Sequence, residues 1–217
     1  IHRRRLPFKQ LSLLKSKVDV VFVGGDLTER NSPLERLDDN MTLLASIAPT
    51  YAVHGNHDYK ANITIVDNII RSKGVRLLQD ENVAIERQDT TLWLTGVDYP
   101  KSGGKIAYAP LPPLLFSETD HPFRIILVHD PLWLSQCSSM PADLVLAGHT
   151  HGGQIILPFI GRSKRIESFY HTYDAGTFEW PKGNNNKDFA KVLISRGFGT
   201  AHLPLRWGSP AQMHVLT

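Results

Sequence analysis

The residues best suited to metal chemistry in this chain each stand just beyond an apolar run. Phe22-Val23 leads to Asp26, Ala52-Val53 to Asn56 and His57, Leu127-Val128 to His129, and Leu146-Ala147 to His149 and His151. Imidazole, carboxylate and amide oxygen together make a mixed donor set of borderline hardness. Such a set suits manganese, iron or zinc, with manganese the expected ion in vitro; calcium prefers oxygen throughout. A carboxylate has two oxygens, so Asp26 can bridge two divalent ions. Two ions about 3.5–4 Å apart can clamp a phosphate and lower the pKa of a shared water. The expected chemistry is hydrolysis of a phosphate mono- or diester by attack of that metal-bridging hydroxide. His57, beside Asn56, can face the leaving oxygen, to stabilise its charge or donate a proton. Asp58 can orient His57.

Taken singly, these residues have plainer readings. An Asp after a strand ordinarily caps a turn, and Gly55-Asn56-His57-Asp58 reads equally as a polar turn. A histidine such as His129 at a strand end is ordinarily just hydrogen-bonded there. What outweighs these readings is repetition at four strand ends. In α/β sheets ligands gather beyond the carboxyl ends of strands, and parallel neighbours would bring the four ends together. On extended backbone the imidazoles of His149 and His151 would point the same way. Gly148, Gly152 and Gly153 beside them let the backbone pass close to a ligand.

The elements that must position these groups follow from hydrophobic pattern. Buried strands are expected at 18–23, 125–128 and 144–147, and further strands at 51–54, 75–78, 82–87, 91–97, 190–195 and 212–216. Helices are expected at 6–17, from Ser32-Pro33-Leu34-Glu35 to about Ile47, over 63–72, and briefly near Leu132. Ser32 and Glu35 suit a capping box, and Gly74 is placed to end the third helix. Turns are expected at Gln88-Asp89-Thr90 and Gly183 to Asn186. Helices alternate with strands early and strands dominate later, which points to an α/β layered domain, with a mixed sheet or two sheets face to face.

Composition narrows the class. A chain of 217 residues suits one domain, here 1–217, and 41% hydrophobic with 21% charged residues is ordinary for a soluble protein. The single cysteine, Cys137, excludes an internal disulfide and a cysteine-based zinc site. A formal charge of +3 is too small to argue for nucleic acid or membrane binding by itself. No run approaches the roughly 18 apolar residues of a transmembrane helix. The chain begins at Ile1-His2 without methionine, so an upstream segment is expected.

The order Gly25-Asp26, Gly55-Asn56-His57-Asp58, His129 and Gly148-His149-Thr150-His151 resembles the calcineurin-like metallophosphoesterases. Val145 to Ile155, continuing through Pro158, and Ser195-Arg196-Gly197-Phe198-Gly199-Thr200 resemble the bacterial branch of phosphodiesterase-like proteins related to YkuE. The resemblance implies a four-layer α/β/β/α sandwich, two mixed β-sheets flanked by helices. It implies one ion on His2, Asp26 and His151 plus an aspartate that this chain lacks. A second ion would take Asp26, Asn56, His129 and His149, with His57 as the catalytic histidine. Ile1-His2 matches the last two residues of the family's opening Asp-x-His, and Ala211-Gln212 stands where the branch often has Pro-Glu.

The partners expected are a small phosphate ester and, as a second surface, a membrane face. No specific nucleic acid is expected, and the chain is expected to be a monomer, cytoplasmic or membrane-associated. Rival readings are a lipid-linked or nucleotide-sugar pyrophosphate hydrolase and a non-catalytic scaffold of the same fold. The first would use Phe159 to His171, with Arg162, Lys164, Arg165, Phe169 and Tyr170, as a lid; a solvated basic loop is the preferred reading there. His54, His121, His171, His202 and His214, and the four tryptophans, are expected to be structural.

Overall fold

The computed structural model describes residues 1–87, 90–100, 106–114, 122–137, 140–156, 168–182, 188–200 and 203–217. Its helices are α1 (Phe8–Ser12), α2 (Leu34–Ala45), α3 (Ile63–Ser72) and α4 (Ser168–Thr172). Its strands are β1 (Val21–Val23), β2 (Thr50–Ala52), β3 (Arg76–Leu77), β4 (Glu81–Arg87), β5 (Thr90–Val97), β6 (Arg124–Val128), β7 (Leu144–Ala147), β8 (Gly176–Pro181) and β9 (Phe189–Ile194).

The strands form two sheets. One is β1-β2-β3, parallel throughout, so the smaller sheet is not mixed as expected. The other runs β4-β5-β6-β7-β9-β8, with four parallel strands at its centre and an antiparallel strand at each edge. Alternation along β6 shows how the layers stack, since successive strand residues face opposite sides. Ile125 and Leu127 join Val53, Leu78, Leu94 and Leu146 in an apolar layer between the sheets. Ile126 and Val128 face the other way, onto Trp133, Leu134 and Val192. A third cluster packs Leu11 of α1, Leu37 and Met41 of α2, and Val66 and Ile70 of α3 on the outer face of the smaller sheet. Three apolar layers between four layers of elements make the expected α/β/β/α sandwich.

Several local expectations are corrected. The helix expected over 6–17 is confined to Phe8–Ser12. Phe8 and Leu13 are exposed, and Leu11 is the one buried residue of α1, so there is too little apolar stripe to hold a longer helix. The capping box before α2 does not form; Pro33 is the N-cap, and the Ser32 hydroxyl is buried without a partner. Residues 212–216 form no strand: among the described residues they join no ladder, and Gln212 N–H donates to Gly197 O without extending into one. Trp133 is buried, but Trp207 is 58% exposed. Gly74, at φ +76°, ends α3 as expected. His121, His202, residues 159–167 and the turn at 183–186 lie outside the described residues, as do Gln88 and Asp89. Among the described residues no helix is long and apolar enough to cross a membrane.

Candidate metal centre

The site lies where the carboxyl ends of β1 and β2 meet those of β6 and β7. The backbone there is unusually tight. Eight described non-glycine residues have positive φ, and four of them are candidate ligands: His2 at +54°, Asp26 at +49°, His149 at +67° and His151 at +54°. Each such residue costs on the order of 1–3 kcal/mol, and such strain concentrates at functional sites. The glycines explain how the loops approach. A Cβ on Gly25, itself at φ +84°, would lie 2.6 Å from His129 Nδ1 and 2.8 Å from Gly55 N. A Cβ on Gly55 would lie 2.5 Å from Asp26 N and 2.7 Å from His129 Cε1. Only glycine lets these two loops and His129 share this space.

Asp26 stands at the centre. Its Oδ2 lies 3.2 Å from His2 Nε2 on one side and 3.4 Å from His129 Nε2 on the other. Its Oδ1 accepts the backbone N–H of His57 at 2.9 Å. On the first side, His2 Nε2 faces His151 Nε2 at 3.1 Å. On the second, His129 Nε2 lies 3.0 Å from His149 Nδ1 and 3.2 Å from Asn56 Oδ1. All six expected ligands are therefore gathered, in the two groups expected. His149 and His151 are not on extended backbone, however. They occupy a tight turn that sends one imidazole to each group.

The chemistry of these contacts fits cations. His129 Nδ1 donates to Gly24 O at 2.8 Å, and His151 Nδ1 to Gly199 O at 3.1 Å, since a carbonyl can only accept. His2 Nδ1 is paired with Glu29 Oε2 at 3.1 Å. Partners on the far nitrogen are the usual device for aiming Nε2 at a metal. In both groups, acceptor atoms then converge with at most one proton between them. Burial, then the neighbouring His2, pushes His151 down to about 3; burial and His129 lower His149. Both are thus neutral and offer lone pairs. Burial alone would raise Asp26 and lower His129, but their mutual attraction wins, holding Asp26 well below the carboxylate range and raising His129. His2, Asp26 and His57 also lie close enough to share one ion, as do Asp26, His129 and His149.

His57 and Asp58 divide differently from expectation. The His57 ring stacks edge-on against His2, centroids 4.7 Å apart, and its Nδ1 is 3.8 Å from Glu29 Oε2. Burial pushes it down to about 4, against the opposing pull of Asp26. Asp58 does not orient it. The Asp58 oxygens accept the backbone N–H groups of Thr28 at 2.9 Å and Gly55 at 2.8 Å, so this buried carboxylate ties the loop after β1 to the loop after β2. Among the described residues, Glu29 is the carboxylate paired with His57 Nδ1.

Sequence reading missed three supporting groups. Glu29 follows Asp26 by three residues in the same loop, and that was its one signal. Asp130, next to His129, accepts the Tyr170 hydroxyl at 2.9 Å with each of its oxygens and lies 3.8 Å from His149 Nε2. Arg206 contacts the loop around His151, and nothing in its neighbourhood marked it. His54 is structural, as expected. Fully buried, it bridges Asp98 at 2.9 Å and Asp67 at 2.8 Å, while Tyr59 also donates to Asp98.

Comparison with known proteins places the chain in a family. YpbG of Bacillus subtilis is 30% identical over 220 residues, covering 100% of this chain and 77% of that protein. The Escherichia coli protein named phosphodiesterase YaeI is 29% identical over 153 residues, 68% of this chain and 54% of YaeI. The metallophosphoesterase YkuE of B. subtilis is 25% identical over 95% of this chain and 70% of its own length. The sulfate thiohydrolase SoxB of Thermus thermophilus shares the fold, with a TM-score of 0.52 at 14% identity over 86% of this chain and 36% of that one. The family model described as calcineurin-like phosphoesterase matches residues 3–153, and the chain belongs to that family of metal-dependent phosphoester hydrolases.

Proposed function

We propose that the chain hydrolyses phosphodiesters with two divalent ions, manganese in vitro. One ion would be held by His2, Asp26 and His151, the other by Asp26, Asn56, His129 and His149. When bound, such ions polarise a phosphoryl oxygen and lower the pKa of water. The observation that carries the reading is the facing of lone-pair atoms, His2 Nε2 with His151 Nε2 and His129 Nε2 with His149 Nδ1, on either side of one Asp26 oxygen.

The protein's own groups do the remaining work. Asp26 orders the His57 loop through its second oxygen. His57, beside Glu29 and neutral at working pH, presents Nε2 to the leaving oxygen and, as its Nε2–H tautomer, donates a hydrogen bond there. Asp58 and the close-packed Gly25 and Gly55 hold this arrangement before substrate arrives, which is where electrostatic catalysis gains most. Diesters are preferred in this reading because YaeI is named a phosphodiesterase. The test is to assay the manganese-loaded protein on a diester, a monoester and a nucleotide-sugar pyrophosphate. Turnover fastest on the diester is expected. Pyrophosphate cleavage alone would reassign the substrate, and metal binding without turnover on any of them would make the chain a scaffold.

A further inference from the structure

We propose that Arg206 is a positioning residue for His151, holding the carbonyl that aims this imidazole into the metal centre. The inference rests on His151 being a metal ligand. Arg206 lies far from the ligands in sequence, in a stretch between β9 and the end of the described chain. Its guanidinium makes no ion pair among the described contacts; it is spent on backbone carbonyls. Nε donates to Gly199 O at 2.9 Å, and Nη2 donates to Gly199 O and to Arg196 O, each at 2.6 Å. Nη1 reaches His151 O at 3.2 Å and Ser209 O at 3.1 Å. Ser209 in turn donates its hydroxyl to His151 O at 2.8 Å.

Two consequences follow for His151. Its own carbonyl is pinned by Arg206 and Ser209, which fixes a backbone already strained at φ +54°. Its Nδ1 is 3.1 Å from Gly199 O, the oxygen that Arg206 grips with two nitrogens. Arg206 Nη2 also lies 3.3 Å from His151 Nδ1, and this contact decides the tautomer. Nη2 has two hydrogens, and two carbonyls at 2.6 Å take them. None is left for Nδ1, so Nδ1 carries the proton and donates to Gly199, leaving Nε2 bare toward His2. Packing leaves little slack: a Cβ on Gly152 would lie 2.7 Å from Arg196 Cγ and 2.8 Å from Ser209 Oγ. A lysine keeps the charge, but its single ammonium cannot span the carbonyls of five residues, Gly197 included, that the planar guanidinium reaches.

The experiment is Arg206→Lys beside His151→Ala, each in the full chain, with manganese binding measured by calorimetry and by electron paramagnetic resonance. Groups that orient metal ligands typically contribute about 10–100-fold in metal affinity. For Arg206→Lys, one ion should bind as in the wild type and the other about 10–100-fold more weakly, with kcat recovering at excess manganese. A purely structural arginine would lower the melting temperature without separating the two affinities, and that result would overturn the proposal. His151→Ala should lose one ion outright. If it keeps both, the ligand assignment itself fails; if it loses one while Arg206→Lys binds both normally, only the role of Arg206 fails. Should Arg206→Lys not fold, the histidine nitrogen shifts of the metal-free wild type decide. An Nδ1–H tautomer at His151 is expected, and an Nε2–H tautomer would refute the proposal.

Discussion

Replacing Asp26 by Asn tests the bridge with the least change in shape. Asn keeps an oxygen for the His57 amide but removes the charge and places a donor toward His2 and His129. One carboxylate oxygen lies 3.2 Å from the first of these imidazoles and 3.4 Å from the second, so both ion positions lose the same ligand. Removing a partner one shell outside a metal already costs about 10–100-fold in affinity. A direct, charged ligand sets a floor near the upper end of that range, about 100-fold or roughly 2.8 kcal/mol for each ion. The assay is manganese titration of chelator-treated protein, paired with hydrolysis of a nitrophenyl diester. Both ions should weaken together and turnover should vanish at micromolar manganese. Weakening of one ion alone would show that Asp26 does not bridge, and two ions at wild-type affinity would refute the assignment of Asp26 as a ligand.

His57→Ala should keep both ions and lose about 10²–10⁴-fold in kcat on a diester with a poor leaving group, less on a nitrophenyl ester; loss of an ion, or equal losses on both esters, would mark it as a ligand. Gly55→Ala should cost about 1–3 kcal/mol by overpacking Asp26 and His129, read as a lower melting temperature together with weaker manganese binding. His54→Asn leaves Asp67 and Asp98 without their buried partner and should cost about 3–5 kcal/mol in urea unfolding. In the metal-free protein, His151 is depressed to about 3 from an ordinary 6.5, so the unfolded chain binds a proton there that the folded chain refuses. Stability from its neutrality is therefore present above pH 6.5 and lost as pH falls toward 3. The wild type should lose stability relative to His151→Ala over that window, and a parallel pH dependence of the two would contradict it.

The site was readable in the sequence to the extent that apolar runs located strand ends. Asn56, His129 and His149 each follow such a run within a few residues, and parallel strands carry their ends to one edge. The supporting groups were not readable because their partners are remote. Arg206 acts on His151 and Gly199, and Tyr170 on Asp130, through tertiary contacts that no local periodicity records. Adjacency suggests that Asp58 pairs with His57, but the backbone turns its carboxylate toward Thr28 and Gly55. Residues 212–216 failed as a strand for a related reason, since alternation supplies a face but not a neighbour. The smaller sheet proved wholly parallel because β1, β2 and β3 are each joined through a helix or a helical crossover.

The most direct test of the central claim is anomalous diffraction from crystals grown with manganese. Two peaks about 3.5–4 Å apart are expected, with Asp26 between them, His2 and His151 on one, and Asn56, His129 and His149 on the other. A single peak, or peaks that leave Asp26 bound to only one ion, would contradict the account.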